Sequence, residues 1–240
     1  MNSKIYFEDY YPGKLHNQRL LSKFLKGVGS SIETDDANPM TIRLLVTVDN
    51  LYMIKSLAYQ WKSSGLSEFI VSENRSRGPM VSGALSYEVF GQPGNHKNKT
   101  INLIDVHKVL FGFFSNLSSA MDRLAYEIKN VYKIQDEGIG WSYFFGKTPR
   151  ISIPLLEQIV NSHDKAKIKW IIQCRNRLLH DGILRFELNS SICLPEYPRD
   201  SKSKWLPMET ECDKAFWEIV DIIDAIYGSL LGKIEAEGYL

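Results

Sequence analysis

The side chains best suited to chemistry lie together in the stretch CRNRLLHDG, which begins at Cys174. A helical wheel with Ile168 at zero places Arg175 at about −20°, in the centre of an apolar stripe. The stripe consists of Ile168, Ile171, Ile172, Leu178 and Leu179. Removing an unpaired guanidinium from water costs several kcal/mol. We therefore expect Arg175 to meet either an internal carboxylate or an anionic ligand bound in a cleft.

Two further polar residues accompany this arginine. Asn176 and His180 are four residues apart and are therefore neighbours on a helix surface. His180 falls in the last helical turn, where the helix dipole favours a positive charge, so it is either a cap or a proton-transfer group. Arg177 lies on the opposite, solvated side. Trp170 shares that side, so another element or a partner chain should bury it.

Helical periodicity dominates the elements that must position these residues. From Asn102 to Ile134, apolar residues recur at spacings of three and four, which predicts an amphipathic helix of roughly 45 Å. Further helices are predicted over about Leu15–Lys26, Met40–Ser63, a short segment after Pro154, His163–His180 and Glu211–Glu235. Gly182 is placed to cap the helix that ends at His180. Three glycines, Gly138, Gly140 and Gly146, predict a loop.

Two stretches lack helical periodicity, Leu66 to Thr100 and Asp181 to Met208. The first contains the alternating segment LSYEVF and the second contains ILRFEL with three prolines, so either could hold a β-hairpin or an ordered loop. The fold class predicted is all-α, an antiparallel bundle of about four to six helices with two irregular insertions. Residues 101–240 would form the bundle, and residues 1–100 would add helices and an insertion packed on it.

The composition excludes several classes of protein. With 29 basic and 28 acidic residues, the net charge is +1, so any binding of nucleic acid must be local. Three cysteines without a CxxC pair suit a reducing cytoplasm. The segment MNSKIYFEDYYPGK carries acidic residues where a signal peptide needs an apolar core, and no stretch is apolar enough for a membrane span. We expect a cytoplasmic protein that does not enter membranes.

The pattern R-N-x-x-x-H, formed by Arg175, Asn176 and His180, resembles the R-x4–6-H motif of the HEPN superfamily. The resemblance includes the polar residue that often follows the arginine, and it covers about Asn102 to Leu240. This superfamily consists of helical bundles. Many are ribonucleases of toxin, abortive-infection and CRISPR-associated systems, and others are inactive.

The resemblance implies metal-independent RNA cleavage in a defence or toxin system, with no cofactor. His180 would transfer protons near neutral pH, and Arg175 would bind the phosphate and stabilise the charge that develops on it. Asn176 would support both residues. Arg175 and His180 lie about 140° apart on a straight helix, so one helix does not converge them. We therefore predict a homodimer in which two CRNRLLHDG segments face each other across a twofold axis. RNA and a partner protein such as an antitoxin are the expected ligands.

The long helix carries two candidate supporting residues, Ser118 and Asp122, which are one turn apart. Asp122 would pair with Arg175 or orient His180, because similar bundles place a polar residue here facing the motif. Asp122 could instead be an exposed carboxylate. Glu127 is predicted to be a surface residue that pairs with Arg123.

Two other interpretations of the same residues stay open. The chain could be a non-catalytic helical module that binds a nucleotide, an RNA or a protein through the same groove. Alternatively, Arg175 could be purely structural, in a buried salt bridge to Asp122 or another acid. In that case replacing Arg175 by alanine should lower the melting temperature strongly.

Overall fold

The computed structural model describes residues 39–63, 86–89, 99–182, 184, 187–188, 191–198, 200 and 203–237. Most of these residues are helical, in agreement with the predicted all-α class. The described helices are α1 (Pro39–Ser63), α2 (Leu103–Val131), α3 (Trp141–Phe145), α4 (Pro154–Ser162), α5 (Lys165–His180) and α6 (Met208–Ala236). The described strands are β1 (Ser86–Val89), β2 (Lys99–Asn102), β3 (Glu187–Leu188), β4 (Ile192–Pro195) and β5 (Trp205–Pro207).

The long helix α2 follows the spacing of its apolar residues. Side chains on the predicted face are fully buried, among them Leu110, Phe113, Leu117, Leu124 and Ile128. The helix extends over 29 residues, close to the predicted bounds. No helix within the described ranges is long and apolar enough to cross a membrane. The helix predicted over Leu15–Lys26 lies outside the described residues.

The chain divides into two compact units, each with its own buried side chains. Unit 1 takes its described residues from Met1–Thr47, Ser115–Ile171 and Ala215–Leu240, and unit 2 from Val48–Phe114 and Ile172–Lys214. The core of unit 1 includes Leu124, Phe144, Leu156, Phe216 and Tyr227. The core of unit 2 includes Leu51, Ile54, Phe113, Leu194 and Met208. A division of the chain near residue 100 stays a prediction, because most of residues 1–100 lie outside the described part.

Both stretches that lack helical periodicity contain antiparallel strands. β1 pairs with β2 from Ser86 opposite Asn102 to Val89 opposite Lys99, and β2 continues directly into α2. The second stretch forms a three-stranded sheet in the order β3-β4-β5. Pro195 and Pro207 are the last residues of β4 and β5, where a missing N–H disturbs the ladder least. The possibility of strands in these insertions is therefore confirmed.

Helix α3 lies where the sequence predicted only a loop. It begins after Gly140 and ends before Gly146, and it buries Trp141, Tyr143 and Phe144. The rings of Trp141 and Phe145 lie 4.4 Å apart between centroids. A helix of five residues is too short to display a period, so aromatic side chains next to glycines were the only available signal.

Candidate active site

The candidate motif occupies the end of α5, and both ends of that helix are well defined. Asp164 precedes the helix, and its Oδ1 accepts the backbone N–H groups of Ala166 at 2.9 Å and Lys167 at 3.1 Å. At the other end the Asp181 N–H donates to the Arg177 carbonyl at 3.0 Å. Gly182 then adopts a φ of 69°, the left-handed conformation that favours glycine, so its predicted capping role is confirmed.

The buried face of α5 differs from the predicted one. The buried residues of the helix are Ile168, Trp170, Ile171, Cys174 and Leu178. Ile172 and Arg175 are half-buried, and Leu179 is 41% exposed. Arg175 therefore lies at the edge of the apolar face, and its predicted position in the centre of that face is wrong.

The error has a simple physical origin. The predicted stripe omitted Trp170 and Cys174, which extend the buried face on the side away from Leu179. The expected burial of Trp170 is confirmed at 5% exposure. Its ring also receives the Lys167 ammonium, whose nitrogen lies 4.9 Å from the ring centroid.

Arg175 is hydrogen-bonded within the motif itself. Its Nη1 donates to Asn176 Oδ1 at 3.0 Å. Within unit 2, the described residues include no carboxylate that forms an ion pair with Arg175. The bond draws the guanidinium towards the Asn176 side, which lies only about 40° from His180 on the wheel. It occupies the amide oxygen of Asn176, so the NH2 group is the part of this side chain that could donate to a phosphate.

His180 is exposed in the last turn of α5. Among the described residues, no hydrogen bond or ion pair holds its imidazole. The structure thus brings Arg175 and Asn176 into direct contact and leaves His180 open to solvent on the side of Asn176. A half-buried guanidinium, an amide donor and an exposed imidazole can together bind a phosphate and exchange protons with its ester oxygens.

Arg177 differs from Arg175 in its partner. It forms an ion pair with Asp181, four residues along the chain, so it links the last turn of α5 to the residue that follows the helix. Arg177 is half-buried, with 26% of its side chain exposed, so its predicted position on a solvated side is not confirmed. Arg177 is therefore a matched control for Arg175 in mutagenesis.

The proposed supporting residues belong to unit 1, whereas Arg175, Asn176 and His180 belong to unit 2. Asp122 is exposed, and its Oδ1 accepts the backbone N–H of Trp141 at 2.8 Å, at the start of α3. A Cβ at Gly140 would lie 2.8 Å from the same oxygen, so glycine permits this close approach. Ser118 is half-buried. The roles of Asp122 and Ser118 beside the motif stay predictions.

A buried polar cluster in unit 1 was missed. Glu127 is only 3% exposed, so its predicted surface position is wrong. The predicted pairing with Arg123 is confirmed, since Arg123 Nε lies 3.4 Å from Glu127 Oε1. The buried Tyr227 hydroxyl also donates to Glu127 Oε2. The available signal was spacing, because Glu127 follows Leu124 by three residues and precedes Val131 by four, as members of the buried stripe do.

Burial shifts the pKa values of Glu127 and Tyr227. Loss of hydration raises the pKa of Glu127 above its ordinary value, although the Tyr227 hydrogen bond and the Arg123 charge oppose the shift. Burial, together with the nearby carboxylate, also raises the pKa of Tyr227 well above its ordinary value. Tyr227 therefore remains a hydrogen-bond donor throughout the neutral range.

A second polar contact holds the start of α5 in unit 1. Glu218 Oε1 lies 2.9 Å from His163 Nδ1 and accepts the backbone N–H of Asp164 at 2.7 Å. A carboxylate on α6 thus holds the two residues that precede α5. Sequence spacing alone gave no sign of this contact, since Glu218 lies more than fifty residues further along the chain.

Potential metal ligands do not cluster in the described part of the chain, where no group of three or more His, Cys, Asp or Glu residues could hold an ion. Cys174, Cys193 and Cys212 are all buried thiols. Comparison of the chain with models of protein families, with curated proteins and with solved structures finds no match.

Proposed function

We propose that this chain is a cytoplasmic, metal-independent endoribonuclease of the HEPN type that acts as a twofold dimer in a defence or toxin system. The observation that carries the proposal is the hydrogen bond from Arg175 to Asn176, on the side of α5 where His180 is exposed. The bond holds the guanidinium against Asn176, which lies about 40° from His180 on a helical wheel. A bundle arrangement of the helices and a partner such as an antitoxin belong to the same proposal.

The chemistry is an attack of the RNA on its own backbone. The ribose 2′-hydroxyl loses its proton and bonds to the adjacent phosphorus, and the bond from phosphorus to the 5′-oxygen breaks. The leaving oxygen takes up a proton, so the products end in a 2′,3′-cyclic phosphate and a 5′-hydroxyl. Two imidazoles, one His180 from each protomer, would serve as base and acid.

The positive charge of the site acts on the transition state. Arg175 would donate two N–H groups to the non-bridging phosphate oxygens, which carry more charge in the pentacoordinate state than in the ground state. Asn176 holds the guanidinium through its oxygen and would donate from its NH2 group to the same phosphate. A half-buried guanidinium suits this role because partial loss of hydration strengthens its attraction to the phosphate.

The test uses purified full-length protein and a mixture of labelled RNAs in EDTA. Arg175→Ala and His180→Ala should each slow cleavage by roughly 100-fold or more, the scale of lost acid–base or charge stabilisation. Arg177→Ala is the matched control, since it removes the same charge two residues away and should retain activity. Fragments should end in a 2′,3′-cyclic phosphate.

Two other results would contradict the proposal. Equal cleavage by all variants would assign the activity to another site or to a contaminant. RNA binding without cleavage would favour the non-catalytic module. Melting curves distinguish a catalytic role of Arg175 from a purely structural one. A structural role requires Arg175→Ala to lower the melting temperature much more than Arg177→Ala does.

A further inference from the structure

One face of α5 carries a row of polar side chains that leads to the motif. Lys165, Lys169, Gln173, Asn176 and His180 recur at spacings of four, four, three and four residues. On a helical wheel they share an arc about 80° wide, and the row is about 22 Å long at 1.5 Å per residue. Lys165, Lys169 and His180 are exposed, whereas Gln173 and Asn176 are half-buried.

The two lysines of this row have no anionic partner among the described residues, and α5 itself contains no acidic residue. Four other described lysines, on α1 and α6, do have an anionic partner. Lys55, Lys62, Lys214 and Lys233 each form an ion pair with a carboxylate. Lys165 and Lys169 therefore present uncompensated charge on the face that carries Asn176 and His180.

The helix dipole does not account for the charge of Lys165. The first turn of α5 has no acidic residue, and a positive charge near a helix N-terminus opposes the helix dipole by about 0.3–1 kcal/mol. Asp164 accepts two backbone N–H groups as the cap of the helix. The helix dipole therefore gives no reason for a lysine at position 165, which favours a role in binding.

We propose that this face of α5 binds the sugar–phosphate backbone of single-stranded RNA, with Lys165 and Lys169 contacting phosphates that neighbour the one held at Asn176 and His180. This inference depends on the proposed function only for the position of the scissile phosphate at Asn176 and His180. Lys169 and Lys165 precede Asn176 by about 10 Å and 16 Å along the helix axis, so the row would follow a few successive nucleotides. A single strand fits this face, because the major groove of duplex RNA is too deep and narrow for a helix to enter.

The matched control lies on the same helix. Lys167 lies two positions from Lys165 and two from Lys169, and it packs over the Trp170 ring on another side of α5. Lys167→Ala therefore removes one positive charge from the same part of α5, half of what the double variant removes, without altering the row. The double variant Lys165→Ala/Lys169→Ala removes both proposed phosphate contacts from exposed positions, where alanine is well accommodated in a helix.

The experiment measures binding separately from cleavage. All proteins carry His180→Ala, and fluorescence anisotropy follows a labelled single-stranded RNA between 50 and 200 mM salt. Each phosphate contact contributes about 0.7 to the slope of log affinity against log salt for a single strand, so the double variant should be less steep by about 1.4. The Lys167→Ala protein should keep the parent slope.

Each outcome bears on one of the two proposals. A reduced slope in the double variant alone supports this inference, even if the wild-type protein cleaves no RNA and the proposed function fails. Equal slopes in both variants overturn the inference, even if cleavage at the motif is established. Failure of the parent to bind RNA also overturns it. An effect seen only with duplex RNA contradicts the assignment to a single strand.

Discussion

Glu127→Gln should remove a pH dependence from the stability of the protein. Glu127 is buried between Arg123 and the Tyr227 hydroxyl, and burial raises the pKa of its carboxyl group above 4.5. A raised pKa in the folded state stabilises the fold fully below the unfolded value and loses this contribution as the pH rises through the folded value. Glutamine preserves the shape of the side chain but does not ionise, so the variant should not lose stability in this way.

The magnitude follows from proton linkage. The free energy of unfolding of the wild type falls by about 1.4 kcal/mol for each unit by which burial raises the Glu127 pKa. Tyr227 stays protonated over this range because its pKa is raised well above its ordinary value, so it does not cancel the change. In a protein of this size about 1 kcal/mol corresponds to roughly 2–4 °C in melting temperature. The melting temperature of the variant relative to that of the wild type should therefore increase from acidic to neutral pH, by roughly 3–5 °C for each unit by which the Glu127 pKa is raised.

The assay is urea or thermal unfolding of both proteins at half-unit steps from pH 4 to pH 8. Glu235→Gln is the control, because Glu235 lies on the same helix, α6, and is exposed. Its curve should run parallel to that of the wild type. If the difference between Glu127→Gln and the wild type stayed constant across this range, the reasoning from burial would be refuted.

Three further predictions concern residues of α2 and α6. Asp122→Ala removes the acceptor of the Trp141 N–H. It should lower the free energy of unfolding by about 0.5–2 kcal/mol, as loss of a helix cap does. Loss of RNA cleavage at an unchanged melting temperature would instead assign Asp122 to the active site. Gly232→Ala, on an exposed turn of α6 with nothing near the new Cβ, should stabilise the protein by about 0.5–1 kcal/mol. Gly112→Ala should destabilise the protein, because a Cβ there would lie 2.8 Å from Asn50 Cγ. Equal melting temperatures for the two glycine variants would contradict the packing argument.

The helices that could be predicted from the sequence are those long enough to display a period. Apolar spacing gave α2 and α6 to within a few residues at each end, and Pro154 marked the start of α4. Helix α3 was missed because five residues contain little more than one turn. The strands could be suggested but not paired, since register depends on partners that are distant in sequence.

Less of the candidate site could be predicted. Its residue types were visible, but a wheel centred on Ile168 placed Arg175 too deep, because the direction of the core depends on what packs against the helix. The hydrogen bond between Arg175 and Asn176 depends on side-chain rotamers that no spacing encodes. Burial of Glu127 followed from its place in the apolar stripe, yet its charge suggested the surface, and the Tyr227 partner is a hundred residues away.

The buried cysteines of unit 2 allow its local unfolding to be measured by thiol labelling. Cys174, Cys193 and Cys212 all belong to unit 2, on α5, β4 and α6 respectively, and none is more than 4% exposed. A thiol reagent reaches such side chains only when the element that carries them opens, so the modification rate of each cysteine measures the free energy of that opening. Mass spectrometry of the labelled peptides would therefore show whether the end of α5, which carries the motif, opens independently of β4 and α6, without any change to the sequence.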